Sequence, residues 1–414
     1  MSNLTQKILI TLGFLLLYRL FSYITVPGVD VDVIKTIFNN NAGNMLQMAN
    51  MFSGNAIEKF SIISLGIMPY ITASIIMELV AASFPSIGKL KKEKDGMQKY
   101  MQIIKYSTIF IAFVQSIGVA VGVYALDPTS ILIDKNLFIF LAMLTMVTGT
   151  MILVWIGEQI TQKGLGNGIS LIIFAGIVSG LPSAIVGTFE LMNTGEMNLI
   201  VLLGLIAIIA ITTLVIIYVE LGERKIPISY VKQGEIQSTG ISNFIPIKVN
   251  IAGIIPPIFA SAILMFPTSM LSGTKNETLM YINDLLQPSG YLYNIITFLL
   301  VIFFAYFYTS IVFNSKEISQ NLQKQNAYIQ GIRPGPATEE YLNTIVSRLT
   351  LFGSFYLALI TTVPWILVQS MGIPFYFGGT LVLIIVQVAV DTMKKFQAEY
   401  NNENMKTKLN SSKL

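Results

Sequence analysis

Four ionisable side chains lie within or at the edge of long apolar runs: Arg19, Glu78, Lys105 and Asp391. Their types and spacing limit the chemistry open to this chain. An intramembrane aspartyl protease needs two buried aspartates, and only Asp391 lies near an apolar run, at its end. Histidine is absent, so a serine nucleophile has no imidazole base, an HExxH metal site is impossible, and the usual neutral-pH proton shuttle is missing. Cysteine is absent too, which removes thiolate chemistry and disulfides. Ion-coupled transport normally keeps acidic or histidine side chains at mid-membrane. Glu78 sits in the inner part of its run and suits a wet vestibule as well as a coupling site. Arg19 and Lys105 can snorkel or pair. The glycines of "QKGLGNGISLII", Gly164, Gly166 and Gly168, precede a helix and could cradle a phosphate. No strand leads into them, and neither Walker spacing nor a dinucleotide fingerprint is present. They read as a flexible entry or a tight loop. No enzyme, metal or cofactor site emerges, and the pattern favours a passive conduit with apolar walls.

The elements that would position such walls follow from composition. Of 414 residues, 53% are hydrophobic and 12% charged, against about 25% charged in a soluble domain. That is too little charge to build a hydrated shell. Apolar runs of about 20 residues recur, the length that crosses a bilayer's hydrocarbon core. Ten spans can be drawn: 8–26, 61–84, 103–126, 137–157, 169–187, 199–219, 251–271, 291–313, 349–370 and 373–392. A tight turn near Met371–Gly372 separates the last two. An even number of spans puts both termini on one side. Twenty of the 26 Lys and Arg residues fall in the N-terminus, the loops on that side and the tail, which makes it the cytoplasmic side. The expected fold class is an all-α integral membrane protein. Two long cytoplasmic loops, 220–250 and 314–348, contain "ERKIPISY" and "GIRPGPAT". The tail, 393–414, is polar and rich in Asn and Lys, and reads as disordered beyond Phe396.

One phrase occurs twice. "GIMPYITAS" (Gly66–Ser74) in the second span and "GIIPPIFAS" (Gly253–Ser261) in the seventh share Gly, Ile, Pro, Ile, Ala and Ser in register. Each lies in the second span of a five-span half, 1–190 or 191–392, and five is odd. The two copies therefore cross in opposite directions, as in an inverted repeat whose functional path runs between the halves. Proline inside a span kinks the helix and frees a carbonyl, which needs protein or water as a partner. Pro69 and Pro256–Pro257 are expected to face protein or a wet cavity. Ile67 and Ile71 are four residues apart and share a helix face, as do Ile169 and Ile173.

Seven phrases in order resemble the SecY family of bacterial protein-conducting channels. They are "NMFSGNA", "LGIMPYITASII", "QKGLGNGISLIIFAGIVSGLP", "ERKIPISY", "KVNIAGIIPPIFASAIL", "GIRPGPAT" and "PFYFGGTLVLIIV". The resemblance implies two five-helix halves around an hourglass pore in the bacterial inner membrane, with no cofactor. It implies an apolar ring at the waist, here Ile67, Ile71, Ile169, Ile173, Ile258 and Ile384. Such β-branched walls fit around a passing chain and expel water when the pore is empty. Residues 49–60 would be a plug, with Met51, Phe52, Ser53, Gly54, Asn55, Ala56 and Ile57 at its centre. Pro69, Thr72, Ser74, Pro256 and Ser261 would flank a lateral gate to lipid. Arg224, Lys225 and Arg333 would dock the ribosome or the SecA motor ATPase. SecE-like and SecG-like small membrane subunits, signal sequences and nascent chains complete the implied partners. A secondary transporter and a non-conducting scaffold are the alternatives. The first needs mid-membrane binding groups that the sequence lacks.

Overall fold

The computed structural model describes residues 3–41, 50, 53–195, 197–230, 244–271, 278, 281, 285, 286, 290–370 and 378–411. The expectations placed on Ala49, Met51, Phe52 and the turn at Met371–Gly372 lie outside them. Every one of the ten apolar runs contains a helix. In chain order the helices are α1 (Asn3–Phe21), α2 (Val31–Asn41), α3 (Met68–Ser83), α4 (Pro85–Lys92), α5 (Lys94–Leu126), α6 (Lys135–Lys163), α7 (Gly168–Asn193), α8 (Leu199–Leu221), α9 (Ile255–Leu271), α10 (Tyr291–Val312), α11 (Ser315–Lys324), α12 (Pro336–Ser370) and α13 (Gly379–Ser411). Among the described residues seven helices are long and apolar enough to cross a membrane unaided. The chain is an all-α, multi-span membrane protein. Leu9, Leu12, Leu16 and Leu20 of α1, and Ile200, Leu203, Leu214 and Tyr218 of α8, are exposed. Exposed apolar stripes of this extent need lipid or a partner to cover them.

Side-chain oxygens start several helices. Asp134 accepts from the Asn136 amide at α6, Asn167 from Ile169 and Ser170 at α7, and Asn314 from Glu317 at α11. Each satisfies a donor that a helix start leaves unpaired. The helices form two bundles. One packs α1, α3, α5, α6 and α7 around a core that includes Leu153, Ile156, Ile160 and Ile177. The other packs α8, α9, α10, α12 and α13 around Ile216, Val301, Leu357 and Leu383. They meet where α7 and α1 touch α13, and again where α3 and α5 touch α9.

Three sequence expectations are corrected. First, Pro69, Pro256 and Pro257 do not kink helices; they lie in the first turn of α3 and of α9. There the missing N–H would have been unpaired anyway, and the fixed φ favours the turn. The sharp bend of this region comes later, 117° between α3 and α4 at Phe84–Pro85. Second, the tail is helical through Ser411. No Gly or Pro interrupts it, Phe396 stacks on Tyr400, and Lys7 of α1 pairs with Glu399 at 2.6 Å. Third, the fold is not purely helical, because the two long loops pair into a small sheet. Strands β1 (Glu223–Tyr230), β2 (Phe244–Lys248) and β3 (Ala327–Ile329) form an antiparallel sheet in the order β2-β1-β3. Ile226 pairs with Ile245, and Ile228 with Ile329. β-Branched residues alternating along β1 explain the strand. Ile226, Ile247 and Ile329 are buried with Leu342 of α12 in a core of their own.

Candidate functional site

The repeated phrase builds two matching helix starts. Gly66 and Gly253 both have left-handed backbone, with φ of 58° and 65°. Only glycine adopts this region at little cost. The next residue, Ile67 or Ile254, uses its carbonyl to accept the first helical bonds: Ile71 N–H donates to Ile67 at 3.1 Å, and Ile258 N–H to Ile254 at 3.4 Å. Residues 61–67, which the apolar run placed inside a helix, are non-helical: Ser61 bridges to Thr25 and 62–67 are turns, with Ser61, Ile63, Ser64 and Ile67 buried. Non-helical backbone at membrane depth is tolerated only against protein or a cavity.

All six isoleucines of the expected ring come together. Ile67, Ile173, Ile258 and Ile384 are buried in one apolar cluster, and Ile71 and Ile169 pack against it. They come from α3, α7, α9 and α13, from both bundles, and each lies at or within the first two turns of its helix. Ile71 and Ile258 occupy the same position of the repeat. Ile254, the repeat mate of Ile67, packs against the same cluster. Sequence reasoning passed over it, although aligning the two copies would have revealed it.

The glycine run before α7 is a tight loop and not a flexible entry. Leu165 N–H donates to Thr11 Oγ1 at 2.9 Å, and Gly168 N–H to Thr161 Oγ1 at 2.8 Å. A Cβ on Gly168 would collide with the carbonyl of Gly157, so glycine lets α6 and α7 close together. This seats Ile169 and Ile173 against the cluster.

The expected plug, from Ser53 onward, lies against the same cluster. Ala56 is fully buried within it, while Phe60 stacks on Phe138 at 5.9 Å in a neighbouring core. Ser53 and Gly54 are buried; Asn55 and Ile57 are partly exposed. Asn50 Oδ1 accepts from the amides of Ile57 and Glu58, both at 3.1 Å, which closes the segment into a compact turn. Gly149 of α6 allows this approach, since a Cβ there would strike the carbonyl of Ile62.

The residues expected at a lateral gate lie on α3 and α9, whose apolar faces touch. Ile75 of α3, Phe259 and Ala262 of α9, and Phe304 of α10 form one cluster, with Phe259 and Phe304 edge to face at 5.6 Å. Thr72 Oγ1 donates to Met68 O and Ser261 Oγ to Pro257 O, so both hydroxyls are satisfied within their own helices. Ser74 is partly buried; Pro69 and Pro256 are buried. The ionisable residues of the spans are paired: Lys105 with Glu158 at 2.8 Å and Lys91 with Glu78 at 3.9 Å. Arg19 donates to Gly54 O at 3.0 Å. Arg224 and Lys225 are exposed on β1, with Lys225 Nζ 4.8 Å from the Phe244 ring, and Arg333 is exposed in the turn before α12. The shared apolar core of the sheet and α12 joins these basic positions into one unit.

The SecY family pattern matches residues 61–393. The chain belongs to the SecY family. It is 58% identical over 410 residues to protein translocase subunit SecY of Helicobacter pylori strain 26695, covering 98% of each chain. To the subunit of the same name from Escherichia coli K12 it is 40% identical, covering all of this chain and 96% of the other. Its fold matches a solved structure described as that of a protein conducting channel, with a TM-score of 0.70 at 21% identity, over 97% of this chain and 93% of the other. It also matches Sec61 in a canine ribosome-channel complex, with a TM-score of 0.66 at 20% identity and the same coverage. SecY family membership thus takes in helices of both bundles and the sheet that packs on α12.

Proposed function

We propose that this chain is the channel subunit of a protein translocase. It conducts unfolded preproteins across the bacterial inner membrane and releases transmembrane helices sideways into lipid. The observation that carries the reading is the convergence of six isoleucines from four helices of both bundles on one cluster, covered by segment 53–60. Apolar walls without hydrogen-bonding groups bind no particular side chain and dewet when empty. Those are the requirements of a path that must pass varied sequences yet hold back ions.

The α3–α9 seam supports lateral exit. Its contacts are apolar, so a hydrophobic segment of a passing chain can replace them at little cost. Arg224, Lys225 and Arg333 form the docking unit. Their cationic side chains suit ribosomal RNA phosphates or the carboxylates of a SecA-like motor. The ribosome-bound relative supports the first partner. The Lys7–Glu399 pair joins α1 to α13, which supports placing both ends of the chain on the same basic side, the side read as cytoplasmic. SecE-like and SecG-like helices would cover part of the exposed apolar surface. The chain itself acts without catalysis, and the motor or the ribosome supplies the energy.

The test is photo-crosslinking from Ile71 or Ile258 to an arrested nascent chain in a translocation-competent membrane. Crosslinks that require a signal sequence are expected at both positions. Their absence while export proceeds would overturn the reading.

A further inference from the structure

We infer that Tyr18 and Arg19 of α1 latch the closing segment by its backbone and so set how readily the channel opens. The inference rests on the channel reading above. Ring packing alone does not hold this segment. Tyr18 Oη donates to the carbonyl of Ser53 at 3.2 Å in a buried setting. Arg19 donates through Nη1 to the carbonyl of Gly54 at 3.0 Å and through Nη2 to Tyr23 Oη at 3.3 Å. The guanidinium also lies 5.1 Å from the centre of the Tyr23 ring, and Lys59 Nζ lies 3.9 Å from it. On the opposite side, Asn55 Nδ2 reaches Ser183 Oγ of α7 at 3.5 Å.

Gly54 is the seat of the latch. Its φ is 72°, and a Cβ there would lie 2.6 Å from Tyr18 Oη and 3.1 Å from the Cα of Gly176. Glycine is therefore required both by conformation and by the wedge between α1 and α7. Among the described residues no carboxylate pairs with Arg19. Its charge acts on a neutral carbonyl and an aromatic ring. Charge-assisted bonds of this kind are about twice as strong as neutral ones. Because the donors meet carbonyls, the latch is indifferent to side chains at 53 and is broken only by moving the backbone. Entry of a signal sequence between the bundles must break it before the segment leaves the ring.

The experiment compares wild type, Arg19→Gln, Arg19→Lys and Tyr18→Phe in the reconstituted channel with its companion subunits. Three readouts are needed: resting ion conductance, export of preproteins with intact and defective signals, and the spread of distances between spin labels on Ile57→Cys and Ile185→Cys. The chain's lack of cysteine makes the labels specific. Loss of one charge-assisted bond predicts roughly a tenfold rise in resting conductance for Arg19→Gln. It also predicts a higher ratio of defective to intact signal export and a broadened label distance. Arg19→Lys should be intermediate, since one ammonium keeps the Gly54 contact without the planar fork that also reaches Tyr23. Tyr18→Phe should move all three readouts in the same direction. A fold defect would lower both exports without raising conductance, and that result overturns the latch. An unchanged label distance in Arg19→Gln overturns it as well. A wild-type channel that exports nothing, with label distances still broadened by Arg19→Gln, overturns the channel reading and leaves the contact standing.

Discussion

Replacing Ile384 with alanine tests the seal quantitatively. Ile384 is 0% exposed in the cluster shared by both bundles. The change deletes three carbons, each worth about 0.8 kcal/mol when buried, so about 2.4 kcal/mol of burial is lost. In the closed channel that surface is dry, whereas in an empty open pore it is wet. The substitution therefore weakens the closed state relative to the open one by about 2 kcal/mol. At a factor of ten per 1.4 kcal/mol, resting conductance should rise about thirtyfold while the closed state still dominates. Leu383 provides the control. It is the adjacent residue of α13, equally buried, and belongs to the core of the second bundle with Val301 and Leu357. Leu383→Ala deletes the same number of carbons and costs the fold about 2–5 kcal/mol, as does any such core truncation. It should lower thermal stability in detergent without raising conductance. Planar-bilayer recording without preprotein, beside thermal unfolding, separates the two. If both variants leak equally, or if Ile384→Ala leaks no more than wild type, the cluster is ordinary helix packing and not a seal.

Two further outcomes follow from other contacts. Asn250 donates to the buried Glu220 carboxylate at 2.6 Å, and its Oδ1 accepts from Gly253 N–H at 3.1 Å, which ties the end of α8 to the start of α9. Asn250→Ala removes a hydrogen bond to a buried carboxylate and should cost about 2–3 kcal/mol, read as a lowered melting temperature; an unchanged one would remove this tie from the account. Arg333→Glu should reduce motor-driven export in vesicles with melting unchanged, because Arg333 is exposed; normal export would take it out of the docking unit.

Much of this architecture was legible because bilayer physics leaves strong marks. Runs such as Leu199–Val219 contain no charge and admit one structure. Charge asymmetry orients them independently of any motif. What escaped reading depends on contacts between distant segments. The sheet joins residues 223–230 to 327–329, and nothing in "GIRPGPAT" indicates that Ile228 pairs with Ile329. The tail's polar composition predicts disorder, yet it is helical. Its helix is held by Lys7, nearly four hundred residues away, and by the absence of any breaker. Arg19 was legible as an unusual cation within an apolar run, but its partner is a backbone carbonyl, which carries no sequence signal.

The glycine–proline phrase illustrates why a correct motif can carry a wrong mechanism. Inside a helix, proline breaks a bond and bends the axis, so the sequence alone predicts two kinked spans. The structure uses the same property at the opposite place. A helix that begins within the membrane leaves its first amides without partners, and no water is available to satisfy them. Proline in the first turn carries no amide, so it removes one of these unpaired donors instead of burying it. A left-handed glycine just upstream lets the chain enter the turn from an irregular, buried segment. α3, with 16 residues, is about 24 Å long, and α9 with 17 about 26 Å, both short of the roughly 30 Å hydrocarbon core. The phrase is thus a solution to starting a helix part-way through a bilayer, needed once in each direction. It also fixes where Ile71 and Ile258 fall, five residues beyond each glycine. The two halves therefore present equivalent side chains to the cluster because the physical problem at each helix start is the same.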